Sequence, residues 1–216
     1  MKRNVLNLFT VIFIAIAVVA CKNNTEDTST TMAEKTKSAE STEVVAFGNY
    51  TVDTETSVIT WKGSKPTGTH NGTIMIKNGE FAAKDGKVSS GSFVMDMSSI
   101  KDADGSERLE GHLKSADFFD IEKFPTATFE VTGMNENDGK MYLQGNLTMK
   151  ENTNAVEVPV SISSEGDSYS ISSETFVIDR SKWNVRYGSK SFFDDLGDKF
   201  IDNEIELTVS VKANKS

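Results

Sequence analysis

The 216-residue chain has one cysteine and two histidines, and each scarcity removes a class of explanation. A lone cysteine, Cys21, cannot close an internal disulfide, so an exported domain built from this sequence is held by its core alone. Roughly 165 residues are enough for that. Positive charge is also short: 23 Lys and Arg stand against 32 Asp and Glu, for a formal charge of −9. That balance excludes a partner such as nucleic acid, which needs a basic surface. With His70 and His112 as the only histidines, there is no zinc-type His/Cys cluster. There is also no nucleophile elbow, phosphate loop or EF-hand spacing. Asp194-Asp195 with Asp198 reads as a solvated acidic turn. No catalytic set, metal site or cofactor is called for.

Long apolar runs are equally rare. The only one, Leu6 to Val19, is too short for a comfortable transmembrane helix and follows a basic start, Met1-Lys2-Arg3. This is the pattern of a signal peptide over residues 1–20. The run ends Val18-Val19-Ala20-Cys21, which resembles a bacterial lipoprotein signal. The resemblance implies an acylated Cys21 as new N-terminus and lipid anchor. Lys22, rather than aspartate, then favours the outer membrane. Loss of the leader removes Lys2 and Arg3 and leaves the chain at about −11, suited to a self-repelling protein outside a membrane. Residues 21–46 are polar, with almost nothing to bury, and read as a tether. The globular domain is expected over 47–216.

Within the domain the dominant signal is alternation of apolar and polar residues. Ile205, Leu207, Val209 and Val211 alternate with Glu204, Glu206, Thr208 and Ser210. Val156, Val158, Val160 and Ile162 do the same, as do Met141, Leu143, Leu147 and Met149. Less regular strands read as Ser57–Gly63, Gly72–Phe81, Val88–Met97, Thr126–Met134 and Tyr169–Ile178. Asn78-Gly79, Asp85-Gly86, Asp138-Gly139 and Glu165-Gly166 are turn signals. Eight antiparallel strands with one apolar face each close most economically into a β-barrel. A two-sheet sandwich is the competing arrangement. Pro159, which cannot donate to a ladder, belongs at an edge, a bulge or a barrel seam.

Two long connections interrupt the strands, Lys101–Pro125 and Asp179–Asn203. They carry Phe118, Phe119, Phe124, Phe192, Phe193 and Phe200, an aromatic concentration that predicts closure of the barrel ends. In the first, Leu109, His112, Leu113 and Ala116 share one face of a short helix. Asp104 and Glu107 supply a capping-box-like start, and Pro125 forces Phe124 into an extended conformation.

"HLKSADFFDIEKFPTATF", followed by "LQGNLTMKENTNAVEVPVSI" and "FVIDRSKWNV", resembles the YceI-like proteins from about Tyr50 to Val211. His112, Leu113, Lys114, Ser115, Phe118, Phe119 and Asp120, with Lys123, Pro125 and Phe129, carry the match. Where family members often place glycine in a turn, this chain has Lys150-Glu151-Asn152. The resemblance implies a lipocalin-like barrel that binds a polyisoprenoid. An isoprenoid-type or other amphiphilic lipid is therefore the expected partner, held by an envelope lipoprotein.

A hollow barrel would hold its ligand against inward aromatic and methionine side chains: Trp61, Phe93, Met95, Phe129, Met141 and Leu143. Phe118, Phe119 and Trp183 would serve as lids. His112 is read either as a hydrogen-bonded packing residue or as a polar contact at the mouth, and His70 as a residue of an exposed loop. The small residues Gly91, Gly133 and Gly145 are expected to leave room inside. Two rival readings are a hydrolase using His112 with Asp117 or Asp120, and a solid barrel that serves only as an interaction module.

Overall fold

The computed structural model describes residues 48–216. The leader, Cys21 and the tether lie outside the described residues. Ten strands follow in order: β1 (Gly48–Val52), β2 (Val58–Lys65), β3 (Gly68–Lys84), β4 (Lys87–Asp102), β5 (Thr126–Asn137), β6 (Lys140–Met149), β7 (Asn152–Glu165), β8 (Ser168–Ser173), β9 (Phe176–Asp179) and β10 (Glu204–Lys215). One helix, α1 (Glu107–Lys114), lies between β4 and β5. Among the described residues no helix is long and apolar enough to cross a membrane.

Every pairing is antiparallel, and the ladder runs from β10 through β2 to β8 and back to β10. The sheet is therefore closed, and the sandwich is ruled out. The count of ten reconciles with the expected eight because two barrel positions are each filled by two strands. β1 continues the line of β2 between β10 and β3, and β9 continues the line of β8 along β10. Closure removes the free edges that would otherwise template pairing with another chain.

The sequence explains most of these ladders. Val156, Val158, Val160 and Ile162 face inward while Glu157 and Ser161 are exposed. Asp85-Gly86 and Asp138-Gly139 make two-residue turns in which both residues have positive φ, between 51° and 73°. That left-handed geometry matches the twist of the flanking strands. Asn78-Gly79 is a correction: β3 runs straight through it, with Asn78 opposite Val94 and Gly79 opposite Phe93, and a bulge in this ladder falls just before it, at Lys77. Ser57–Gly63 and Tyr169–Ile178 shift or split, the latter at Glu174-Thr175. Pro159 sits where the β7–β8 ladder ends, and its carbonyl takes the last bond, from Glu174 N, at 3.0 Å. It stands at the seam.

The helix cap also differs from expectation. Ser106, not Asp104, is the N-cap; its Oγ accepts from Leu109 N at 3.3 Å. Asp102 Oδ2 accepts from Ser106 N at 3.1 Å. Glu110, on the inner side of the first turns, accepts from Asp102 N and from Lys101 Nζ, the latter at 2.8 Å. The helix stops at Lys114, so Ala116 lies beyond it and is exposed. Pro125 behaves as expected: its carbonyl accepts from Met97 N at 3.0 Å, and β5 begins at the next residue.

The two long connections do not close opposite ends of the barrel. They meet at one end, where His112 packs edge-on against Tyr187 with centroids 4.4 Å apart. Arg180 also stands over the Phe118 ring there. The far end is closed by an aromatic cluster. Tyr50 stacks on Phe81 at 5.3 Å, Tyr169 packs against both, and Phe93 joins through Phe81.

Candidate functional site

Between the aromatic cluster and the crossovers the barrel is hollow. A cavity of about 540 Å³ runs inside it, walled mainly by aliphatic side chains of the alternating strands. Ile205, Leu207, Val209 and Val211 of β10 form one wall, and Val156, Val158 and Val160 of β7 form another. Exposed Lys65, Thr67, Asp198 and Lys199 line it at the crossover end, so that end is the mouth. The volume falls within the roughly 300–1,000 Å³ usual for small-molecule sites.

Eight of the ten residues singled out in the sequence line this space: Trp61, Phe93, Met95, His112, Phe118, Phe119, Phe129 and Leu143. Met141 and Trp183 do not. Met141 faces inward but lies next to the Asp138-Gly139 turn, beyond the end of the cavity. Trp183 is 2% exposed and donates its Nε1–H to Leu147 O at 2.8 Å. It plugs the flank of the barrel beside β7, where β9 makes no ladder, and is not a lid. Asn154 Nδ2 adds a second tie there, to Lys182 O at 3.1 Å.

Gly91 and Gly145 do not make the hollow. A Cβ on Gly145 would meet Phe129 Cζ at 2.4 Å, because the Phe129 ring already lies over that glycine. A Cβ on Gly91 would likewise meet Phe81 Cβ at 2.5 Å. The aromatics claim the space that the missing side chains leave. The cavity persists between that aromatic end and the mouth, where the walls are mainly aliphatic.

His112 is half-buried at the mouth with its ring against Tyr187 and Phe118. Among the described residues its ring nitrogens make no hydrogen bond. Neither aspartate of the rival hydrolase reading is bonded to it. Asp120 pairs with Lys123 at 3.3 Å, and Asp117 is exposed.

His70 is not in an exposed loop. It belongs to β3, is half-buried and lines the cavity, with Nδ1 3.7 Å from Asp102 Oδ1. That distance is too long for a hydrogen bond, and both atoms are buried without a partner. Trp61 Nε1 is a third such atom on the cavity wall. Among the described residues no three His, Cys, Asp or Glu side chains gather in a way that would hold a metal ion.

Sequence reasoning missed Arg180, the most deeply enclosed charged residue among the described residues. It is 1% exposed, lines the cavity and donates to three backbone carbonyls. Nη1 reaches Val185 O at 2.7 Å, Nη2 reaches Ile201 O at 3.1 Å, and Nε reaches Asp202 O at 3.1 Å. Burial pushes the guanidinium down to about 10, which leaves it a cation at neutral pH. Its only local signal was an arginine directly after a strand, which by itself specifies nothing.

A closed antiparallel barrel with an apolar interior, a blind aromatic end and a polar mouth defines the class of hydrophobic-cavity β-barrels. A family model described as the YceI-like domain matches residues 50–213, and the chain belongs to that family. Among curated proteins it is similar to a UPF0312 protein of Pseudomonas aeruginosa, 38% identical over 66 residues. It is also similar to the protein YceI of Salmonella arizonae, 35% identical over 66 residues. Each match covers 31% of this chain and 34% of the relative, so the chain matches about a third of the length of these curated relatives.

Two solved structures share the fold. Burkholderia cenocepacia BcnA superposes with a TM-score of 0.60 at 22% identity, over 76% of this chain and 99% of BcnA. A polyisoprenoid binding domain from Saccharophagus degradans superposes with a TM-score of 0.58 at 10% identity, over 79% and 100%.

Proposed function

We propose that the protein binds a single apolar chain, an isoprenoid-type or other amphiphilic lipid, inside the barrel, and acts as a membrane-anchored carrier or store. The observation that carries this reading is the aliphatic cavity with its one polar mouth. Burying roughly 500 Å² of hydrocarbon contributes about 12 kcal/mol at 25 cal/mol/Å². Lost translational and chain freedom cancels a large part of that. The surplus suffices for firm binding with no catalytic apparatus, and the protein is read as a binder, not an enzyme. The polyisoprenoid binding described for the Saccharophagus domain supports the choice of ligand class.

The anchor in this reading is Cys21, acylated in the cell envelope and holding the protein at the outer membrane, facing the periplasm or the cell surface. Two or three acyl chains gain about 0.8 kcal/mol per buried methylene and hold a protein firmly at a bilayer.

Gentle purification from its membrane, followed by native mass spectrometry and organic extraction, tests the first part. The expected result is a protein-plus-lipid mass that collapses to the bare protein on extraction. A barrel that arrives empty and takes up no retinoid or long-chain isoprenoid in vitro overturns it. For the anchor, Cys21→Ala is expected to release the protein into the soluble envelope fraction; unchanged membrane association overturns acylation.

A further inference from the structure

We infer that the second crossover, Asp179–Asn203, is a membrane-docking face. It rests its exposed aromatic side chains in the surface of a zwitterionic bilayer, so that the cavity exchanges its occupant with the membrane directly. The inference rests on the lipid-binding reading above and adds where the occupant comes from.

The placing of exposed apolar surface is the first argument. Among the described residues the exposed large hydrophobic side chains are Met75, Val177, Tyr187 and Phe193. Met75 and Val177 stand singly on β3 and β9, and scattered single residues of this kind are ordinary. Tyr187 and Phe193, 45% and 46% exposed, share the second crossover. Tyr187 also lines the cavity. The patch is therefore continuous with the mouth.

The loop that displays these rings is braced. Ser189 is fully buried, and its carbonyl accepts from the N–H groups of Phe192 and Phe193, each at 3.1 Å. Ile201 N donates to Gly188 O at 2.8 Å, and Asn203 Nδ2 donates to Ser191 Oγ at 2.7 Å. Backbone already held in place does not have to be ordered when the ring of Phe193 enters a membrane.

Charge selects the kind of surface. Arg186 lies over the Phe192 ring at 4.7 Å and 6.0 Å from that of Phe193, and Lys190 Nζ stands 3.3 Å from the Phe200 centroid. A long cation laid along a ring can leave its head among lipid phosphates while the ring goes below them. Within residues 186–200, Asp194, Asp195 and Asp198 offset Arg186, Lys190 and Lys199, so the segment is neutral on a chain carrying −9. A neutral aromatic rim suits zwitterionic head groups, whereas an anionic surface repels the acidic body.

The occupant argues the same way. An apolar chain is scarce as a monomer in water, because leaving a bilayer exposes all of its hydrocarbon. A mouth set against the bilayer spares that exposure. Two rings make only a weak, reversible contact, which does not by itself hold a protein at a membrane.

The test uses the full chain with Cys21→Ala, so that no acyl chain contributes, and phosphatidylcholine vesicles. Leader and tether are common to every chain compared and cancel in the comparison. Transfer of retinol from loaded protein to vesicles carrying a quencher is followed by stopped-flow fluorescence. Its rate is expected to rise in proportion to vesicle concentration. Phe193→Ser is expected to cut that slope about threefold or more, while retinol affinity without vesicles stays within about twofold, since Phe193 does not line the cavity. Phe193→Trp provides a second variant, whose emission is expected to shift to the blue on adding vesicles without retinol.

A transfer rate independent of vesicle concentration overturns the docking inference and leaves the lipid-binding reading standing. Failure to bind retinol overturns that reading and the inference with it. An unchanged slope in Phe193→Ser, or no shift in Phe193→Trp, overturns the role of the second crossover. Contact made only with phosphatidylglycerol vesicles and lost in high salt overturns the inference in favour of an electrostatic surface. A dimer in sedimentation that Phe193→Ser dissociates overturns it in favour of a second copy of this chain.

Discussion

Trp183 ties the second crossover to the barrel wall by a single hydrogen bond, from its indole Nε1–H to the carbonyl of Leu147 at 2.8 Å. The bond lies where the first half of β7 has no ladder partner on the β9 side, so tertiary contacts there replace sheet hydrogen bonds. Trp183→Phe keeps most of the volume and removes the donor. It is expected to cost about 1 kcal/mol, a drop of roughly 2–4 °C in melting temperature for a domain of this size. Trp183→Ala adds a cavity and is expected to cost about 3–5 kcal/mol. Urea titration of each variant measures both, and an unchanged stability in Trp183→Phe would mean that the indole bond contributes nothing.

Lys150 makes the β6–β7 turn with φ +54°, a region that disfavours side chains, and its Nζ donates to Phe118 O at 3.1 Å. The left-handed conformation costs roughly 1–2 kcal/mol for a residue with a Cβ. Lys150→Ala keeps that strain and loses the bond, while Lys150→Gly loses the bond but relieves the strain. The alanine variant is expected to be less stable than the glycine variant by about 1 kcal/mol. The reverse order in paired thermal melts would remove strain from the account.

Gly145 faces the Phe129 ring so closely that a methyl group has no room. Gly145→Ala is expected to destabilise the barrel by about 1–3 kcal/mol, the usual range for overpacking. It also pushes Phe129 into the cavity and weakens retinoid binding. A crystal structure with Phe129 unmoved at full stability would contradict this.

Tyr169 is raised to about 12, because burial disfavours its phenolate and the neighbouring Tyr50 adds to the effect. Its hydroxyl has no hydrogen-bond partner. A group whose folded value lies above its unfolded value near 10 contributes stability that is fully present below pH 10. That contribution is lost as the pH rises through about 12. Stability measured against pH is therefore expected to fall across this window, and less so in Tyr169→Phe. The phenylalanine variant should match or exceed the parent at pH 7, since it removes an unsatisfied buried hydroxyl.

The barrel was legible in the sequence because period-two alternation reports directly on which side of a sheet is buried. Val156–Ile162 and Ile205–Val211 needed no other information. The same signal could not show that β1 and β9 exist. Each is a short filler whose partners lie far along the chain, Tyr50 opposite Phe81 and Lys215, and Ile178 opposite Ile205. Asn78-Gly79 misled because a strand glycine under close approach reads like a turn glycine: a Cβ on Gly79 would meet Val52 Cγ2 at 2.8 Å and Phe93 Cδ1 at 3.0 Å.

For the candidate site, aromatic and methionine content pointed to part of the cavity wall, since an inward residue on a closed sheet has nowhere else to face. Trp183 broke that logic by belonging to a crossover that packs outside the barrel. Arg180 was invisible for a different reason. Its environment is made of the carbonyls of Val185, Ile201 and Asp202, and backbone atoms leave no trace in side-chain pattern.

Tyr50, Phe81 and Tyr169 make the tube a dead end. A guest can enter only tail first, and its length has a ceiling. A tail short enough to stop before the aromatic floor is swallowed whole. A longer one must fold back on itself or leave its remainder hanging in solvent, so affinity should climb with each added isoprene unit and then level off at the length the barrel holds.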